Sequence, residues 1–349
     1  MTMSSAILDW IDKNTGVHLK LKSRLQHEER KGKEPRTRFR YSVSAGGEIR
    51  PLEMDGFHLK TGLGISTLGG NRSENLSAEE TFQKFPFALD NAYVECGYED
   101  WVTFSAGKLA GSPIKLSSNL IWDADLRPEG IVLGSNMKFG VFSLGLVSAL
   151  YVLDEYSDSK DDPFMMAWQV QLGIETKRFS LSLSPSVFKF LNIEGNALEY
   201  PSGGDTNLKD GDGNLFYGIG ALTGSLKMQF TLDSTFKKRV ALFADTVWNF
   251  EAEKDNFGVL GGVKLELWIF KIEYMLWLIQ QNAWTDSLTD SDRDNGGGTK
   301  NLGMEWILKA NIIGPLWAGL DVYKIFPLGK DEKGEVLVQF DLWIEMEKN

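Results

Sequence analysis

The feature that most constrains this chain is the order of its connectors, because long polar loops alternate with tight turns along its length. Long segments lie near 27–35, 67–87, 109–128, 154–163, 189–213, 251–256, 283–300 and 327–334, and tight turns near 140, 177, 269 and 314. Between them several runs alternate apolar with polar residues. Val17, Leu19 and Leu21 alternate with His18, Lys20, Lys22 and Arg24, and Phe39, Tyr41 and Val43 alternate with Arg38, Arg40 and Ser42. Phe179, Leu181 and Leu183 do the same against Ser180, Ser182 and Ser184. A period of two is strand patterning with one apolar and one polar face. The count comes to sixteen strands, five of them before residue 109. An even number of strands joined alternately by long and short connectors sends every long connector to one rim, as in an antiparallel up-and-down barrel.

Alternation alone does not say which face meets water. In a water-soluble barrel or sandwich the apolar face turns inward, whereas a membrane pore inverts the arrangement. Inversion is favoured by a polar face rich in Ser, Gln and Gly, and by a strand number that encloses a lumen too wide for apolar side chains to fill. Trp101, Trp168, Trp248, Trp268, Trp306 and Trp317 are placed where interface belts are expected. The fold class is therefore all-β, a transmembrane antiparallel up-and-down barrel of about sixteen strands. Residues 1–14 form an N-terminal segment with a short helix over SSAILDWID capped by Ser4 or Ser5, and residues 15–349 form one barrel domain.

Several function classes are excluded or weakened. The net charge of −11 argues against nucleic acid as a partner. A single cysteine, Cys96, rules out an intramolecular disulfide framework. No run reaches the roughly 18 apolar residues of a membrane helix. The three histidines lie at 18, 27 and 58, and neither a Gly-x-Ser-x-Gly elbow, a phosphate loop nor a metal-spaced His/Cys cluster is present, so no enzyme is expected. The Asp-rich loops carrying Asp210 and Asp212, and Asp290, Asp292 and Asp294, raise calcium as a candidate ligand, but neither completes a helix–loop–helix calcium motif. The first residues lack a secretory leader and the last five, EMEKN, lack a terminal aromatic, which reads as a mature, truncated or redesigned form.

The longest irregular connector of the first half, GKLAGSPIKLSSNLIWDADLRPEG, resembles the core of the bacterial "putative porin" family, in which a GK segment leads to a W-D-x-D-L-x-P-E-G block. Gly107, Lys108, Trp122, Asp123, Asp125, Leu126, Pro128, Glu129 and Gly130 fit that pattern. TRFRYSVSAGG, FHLKTGLGIS, LDNAYV, ALFADTVWNF and LTDSDRDNGGGTKNLG are similar to further blocks of the family, so the likeness covers most of residues 36–349. The resemblance implies an outer-membrane barrel of a Gram-negative bacterium, acting as a diffusion channel for ions and small hydrophilic solutes. Its partners would be outer-membrane lipid or detergent, the solutes themselves and, as a further option, copies of its own chain.

On that assignment strands one to three direct Lys20, Lys22, Arg24, Arg36, Arg38, Arg40 and Lys60 into the lumen along one wall, with His18 and His58 among them. General porins fold the equivalent third loop inside, so the resemblance implies an inward-folded loop at 109–128. It implies that Asp123, Asp125 and Glu129 of the irregular connector face this basic ladder and form the pore constriction, where rings or patches of charge set selectivity. The opposing wall carries Asp245, Glu266, Glu273, Glu305, Asp321, Asp341 and Glu345, which tilts the expectation toward cations. Two other readings stay open. The basic residues are a solvated face and WDADLRPEG a structural turn with Asp123 or Asp125 capping amides, or the whole is a soluble or closed barrel with a binding or structural role.

Overall fold

The computed structural model describes residues 13–348 apart from 31, 70–72, 79–85, 100, 158–159, 197, 199–204, 236–237, 294–296 and 330–333. The helix expected at residues 4–12 lies outside the described residues. The strands are β1 (Thr15–Glu29), β2 (Arg36–Met54), β3 (Phe57–Thr67), β4 (Leu76–Ser77), β5 (Phe87–Tyr98), β6 (Val102–Lys108), β7 (Glu129–Phe139) and β8 (Phe142–Val152). They continue with β9 (Phe164–Glu175), β10 (Phe179–Leu191), β11 (Gly220–Asp233), β12 (Lys238–Asn249), β13 (Phe257–Leu267), β14 (Phe270–Ile279), β15 (Asn301–Ile313), β16 (Leu316–Pro327) and β17 (Glu335–Lys348). β4 is a two-residue piece inside a long loop, paired to β2 through Arg40↔Ser77 and Tyr41↔Leu76. Setting it aside leaves sixteen barrel strands.

Every neighbouring pair is antiparallel, and β1 pairs on both sides. Its ladder with β2 runs from Thr15↔Ile49 to Glu28↔Arg36, and its ladder with β17 from Val17↔Lys348 to Glu29↔Val336. That second ladder closes the barrel. Tight connections follow β2, β5, β7, β9, β11, β13 and β15, and long ones follow β1, β3, β6, β8, β10, β12, β14 and β16. The three tight connections that sequence spacing did not isolate join β2 to β3, β5 to β6 and β11 to β12. The first is Asp55–Gly56 with φ of 50° and 83°, the two positive values that a primed two-residue hairpin turn requires.

The faces are inverted relative to a soluble protein. Along β1, Val17, Leu21 and Leu25 are exposed while Arg24, Gln26 and Glu28 are buried. β3, β7 and β12 expose Leu63 and Ile65, Leu133, and Leu242 in the same way. Trp101, Trp168, Trp248, Trp268 and Trp306 stand on this outer surface. Trp317 does not. On β16 the exposed residues are Leu320 and Lys324, so Trp317 shares the opposite, inward parity of Asp321 and Tyr323, and it lines a luminal cavity.

The lumen also departs from expectation in being partly filled with apolar side chains. Leu109, Ile114, Leu120 and Ile121 of the β6–β7 loop pack in one buried cluster with luminal Tyr151, Met165, Phe188 and Phe190. Trp284 of the β14–β15 loop joins them, edge-on to Phe188 and Phe190 at centroid distances of 5.0 and 5.2 Å. The strands could not fill so wide an interior, and the loops do it instead.

Leu133 lies midway along β7 on the outer face, whereas Ser182 of β10 borders an inner cavity. Leu133→Arg is expected to cost about 2–4 kcal/mol in folding into liposomes, and Ser182→Arg less than about 0.5 kcal/mol. Urea titration of vesicle-inserted protein measures both, and equal costs would contradict the inverted assignment.

Candidate functional site

The β6–β7 loop leaves the long-connector rim and crosses the barrel interior. Gln169 of β9 receives it with both ends of its amide: Lys115 N donates to Oε1 at 2.8 Å, and Nε2 donates to Lys115 O at 2.9 Å. The same Nε2 reaches Ser186 Oγ at 2.9 Å, which fixes the amide's orientation. Farther along, Ser117 Oγ lies 2.7 Å from Ser225 Oγ of β11, and Ser117 N donates to Asp245 Oδ1 of β12 at 3.2 Å. Ser118 Oγ donates to the other oxygen of Asp245, which is 3% exposed. A buried carboxylate needs such donors, and hydrogen bonds to a charged group contribute about 1.5–3 kcal/mol each.

The loop then meets the β14–β15 connector. Asp123 N donates to Leu288 O at 2.9 Å, and Asp123 Oδ2 accepts from Ser291 N at 2.9 Å. Asp123 Oδ1 accepts from Asp125 N at 2.9 Å, closing a local turn. Asn119 donates its side-chain amide to Asp290, and its oxygens accept from Arg293, which is wholly buried. The guanidinium of Arg293 lies 4.3 Å from the ring centroid of Trp277, a desolvated cation–π contact. The β14–β15 connector is itself locked to the β10–β11 loop, since Asp286 Oδ2 accepts from Thr206 N at 2.6 Å and Asn207 N at 3.1 Å. At its far end the loop is anchored by Arg127, whose Nε donates to Asp90 at 3.0 Å while Glu74 stands 3.7 Å away.

What remains open is a cavity of about 420 Å³ beside these loops. On one side stand Asn119, Asp123, Asp125, Asp290 and Asp292, and on the other Lys20, Lys22 and Arg24 of β1 with Lys271, Lys309, Asp321 and Asp341 of the closing strands. Asp125 is accessible to the lumen, yet protein surrounds its carboxyl on most sides. Burial, then Asp123 and Glu74, push it up to about 6, while Lys22 acts in the opposite sense. Burial likewise raises the Asp290 carboxyl against the pull of Arg293.

The residues anticipated from sequence divide into two groups. Lys20, Lys22, Arg24, Asp123 and Asp125 line this one cavity. Arg24 is held in a two-pronged pair with Asp341 at 2.7 and 2.8 Å, with Asp292 at 3.7 Å. Arg36, Arg38 and Arg40 do not reach Asp123 or Asp125. Arg36 and Arg38 converge with Arg30 on Glu28, which is 2% exposed, with contacts of 3.1 Å from both Arg38 and Arg30. Arg40 donates to Gln26 Oε1 at 3.0 Å and to Asn75 O at 2.6 Å in the loop beside β4. Unneutralised arginines on a crowded wall are costly, so the nearest carboxylate and loop oxygens take them. Lys60 is similarly taken by Glu95 at 3.1 Å, with Glu48 at 3.8 Å. Glu129 pairs with Lys108 at the rim, on the parity of outward Ile131 and Leu133, so it faces away from the lumen.

Sequence spacing did not single out Gln169, Asp245, Arg293 or Asn119 as anchors of the loop. An acid among apolar residues at a luminal position, as in ALFADTV, was the available signal for Asp245. In the Asp-rich loops the acids are engaged locally. Asp210 Oδ1 accepts from Asp212 N and Asn214 N, both at 2.9 Å, and Asp290 Oδ1 from Asp292 N at 2.9 Å. Among the described residues no group of three or more His, Cys, Asp or Glu is spaced to hold a metal, and Asp294 lies outside them.

The pattern of the family described as "Putative porin" matches residues 12–213. The barrel is similar to the high-pH structure of Pseudomonas putida OprB, with a TM-score of 0.63 and 9% identity over 98% of this chain and 97% of that one. It is also similar to Salmonella typhi OmpF in complex with daunomycin, with a TM-score of 0.57 and 9% identity over 95% of this chain and 97% of that one. A mutant of Rh. blastica porin matches with a TM-score of 0.55 and 8% identity, over 95% of this chain and 100% of that one. No curated protein sequence matches.

Removing the Asp123 carboxylate leaves the N–H groups of Ser291 and Asp125 without an acceptor, so Asp123→Ala is expected to cost about 1–3 kcal/mol. Asp125→Ala, whose carboxylate accepts no hydrogen bond among the described residues, is expected to stay within about 0.5 kcal/mol. Thermal unfolding in detergent micelles checks the contrast, and similar losses would contradict it.

Proposed function

The chain belongs to the "Putative porin" family, and on that premise we propose that it is an outer-membrane channel of a Gram-negative bacterium for passive diffusion of ions and small hydrophilic solutes. Its narrowest part is formed where the β6–β7 loop and residues 290–292 approach the β1 wall. The observation that carries the reading is the cavity with Asp125 and Asp292 on one side and Lys20 and Lys22 on the other. Opposite charges across a narrow, water-accessible gap set a transverse field that orients dipolar solutes. No covalent step is needed, and the reading is of a channel, not an enzyme.

This reading narrows the acidic-loop-against-basic-wall idea. Arg36 and Arg38 of β2 are neutralised by Glu28 on their own side, and Arg40 is held by the neutral oxygens of Gln26 and Asn75. The basic partners lining the gap are therefore lysines of β1 joined by Lys271 and Lys309. A second reading, a closed barrel with a structural role, is favoured by the apolar packing of Leu120, Ile121, Phe188, Phe190 and Trp284 inside the lumen. Conductance in a planar bilayer separates the two, because a closed barrel passes no steady current.

Asp125 supplies a titration test. Its carboxyl, raised to about 6, is ionised at pH 7 and largely protonated at pH 5. A raised acid stabilises the fold at low pH and loses that contribution as pH rises through about 6, the reverse of a salt-bridged aspartate. Protonation also removes a negative charge from the gap. The cation-to-anion permeability ratio is therefore expected to fall about fivefold between pH 7 and pH 5, since a unit charge at roughly 8 Å in water acts on a cation and an anion by about 0.5 kcal/mol each in opposite senses. Asp125→Asn is expected to abolish the change. Reversal potentials in a salt gradient measure it, and an unaltered pH dependence in the variant removes Asp125 from the gap.

A further inference from the structure

Trp317 and Trp343 are directly paired across β16 and β17 on the luminal face. Their rings stack with centroids 5.9 Å apart and 14° between planes. Gly319 makes room for this. A Cβ there would stand 3.1 Å from Trp343 Cζ3, so the glycine lets the indole lie along the wall. Both rings line the same cavity as Lys20, Lys22 and Asp321. The two indoles border the open part of the lumen, whose lining is otherwise mostly charged or polar.

The ledge is bracketed by lysines. Lys271 and Lys309 face each other across β14 and β15, Lys309 pairs with Gly319, and Lys22 pairs with Trp343 from the β1 side, next to Lys20 opposite Glu345. Lys271 Nζ sits 4.9 Å from the Trp317 ring centroid. None of these four ammonium groups forms an ion pair among the described residues. Neighbouring carboxylates are committed elsewhere: Asp341 to Arg24, Glu266 to Arg239 and Glu273 to Lys264. Asp321, Glu345, Asp125 and Asp292 also line the cavity, four acids near the four lysines but with no ion pair to any of them among the described residues. Like charges placed directly opposite on adjacent strands destabilise a sheet, a cost of the Lys271–Lys309 pair that Glu266, opposite Lys271 on β13, offsets in part.

We propose that this ledge is a subsite for a flat organic anion, specifically an aromatic monocarboxylate, whose ring lies on Trp317 and Trp343 while its carboxylate bridges Lys271 and Lys309. The assignment rests on the channel reading and adds a solute class to it. Stacking holds the ring without covalent change, and the carboxylate supplies the direct ion-pair partner that neither lysine has among the described residues. The ledge begins at the second residue of β16, so a solute meets it between the constriction and the rim of tight turns.

The test uses benzoate at pH 7, with acetate as the charge without the ring, benzyl alcohol as the ring without the charge, and maltose as a neutral sugar. Tryptophan fluorescence of the detergent-solubilised protein reads binding without requiring an open pore, and bilayer current reads block. Benzoate is expected to quench saturably and to interrupt current, with acetate and benzyl alcohol at least about tenfold weaker. Trp343→Leu should lose the saturable quench, and Trp317→Leu serves if that variant does not fold. The double change Lys271→Gln, Lys309→Gln should keep ring binding and lose the preference for benzoate over benzyl alcohol. The proposal is overturned if benzoate behaves as acetate does, if the tryptophan variants titrate as the parent, or if maltose binds in its place. A conducting protein blind to benzoate sinks the ledge and leaves the channel. Saturable quenching without any conductance does the reverse.

Discussion

The structure depends on one constraint: inside a lipid bilayer no backbone N–H or C=O can be left without a partner. A strand with a free edge cannot meet it, so β1 must pair with β17 as fully as with β2, and it does so from Val17↔Lys348 to Glu29↔Val336. Closure then dictates the faces. With hydrocarbon outside, Val17, Leu21 and Leu25 turn outward and His18, Lys20, Lys22 and Arg24 have only the lumen. The charged interior follows from the closed ladder and is not an independent feature.

A charged interior needs neutralisation, and the chain achieves it mostly within each wall. Glu28 gathers Arg30, Arg36 and Arg38, Glu48 and Glu95 take Lys60, and Asp341 takes Arg24. Close pairing removes those groups from any longer-range field. The charges that still act across the gap are those the pairing leaves over, chiefly lysines of β1, β14 and β15 against Asp125 and Asp292. The loops supply the other half of the interior. Their apolar residues fill the side bounded by β8 to β12, with Leu120 and Ile121 almost fully buried, and this confines the open space to the closing strands. Each such side chain contributes about 1.5–3 kcal/mol, so the inward loops are as much a core as a filter.

The barrel was legible in the sequence because lipid forces a strict period of two, and because alternate long and short connectors can be counted without knowing any contact. Which residues converge at the gap was less legible. Lys20, Lys22 and Arg24 were found through parity, and Asp123 and Asp125 through the resemblance of their loop to that of porins. Arg36, Arg38 and Arg40 share that parity, but the interception by Glu28, Gln26 and the loop near Asn75 comes from cross-strand register that spacing does not reveal. Trp317 was misplaced for a related reason. A tryptophan near a strand end fits an interface belt, and only the register with Trp343 and Asp321 puts it inside. The partnership of Asn119 with Asp290 and Arg293 joins residues some 170 positions apart, beyond any local pattern.

The central claim is that the β6–β7 loop rests across the lumen against β11 and β12 in the functional channel. Its most direct measurement is a tether between Ser117 and Ser225, whose hydroxyl oxygens are 2.7 Å apart. In a chain carrying Cys96→Ser, Ser117→Cys and Ser225→Cys, mild oxidation should close the disulfide almost completely, since the side chains already meet within bonding reach. Single-channel conductance should be the same before and after oxidation, because the tether fixes the loop where it already lies. Cysteines that stay reduced, or a conductance that drops when the bridge forms, would show that the working channel holds this loop elsewhere.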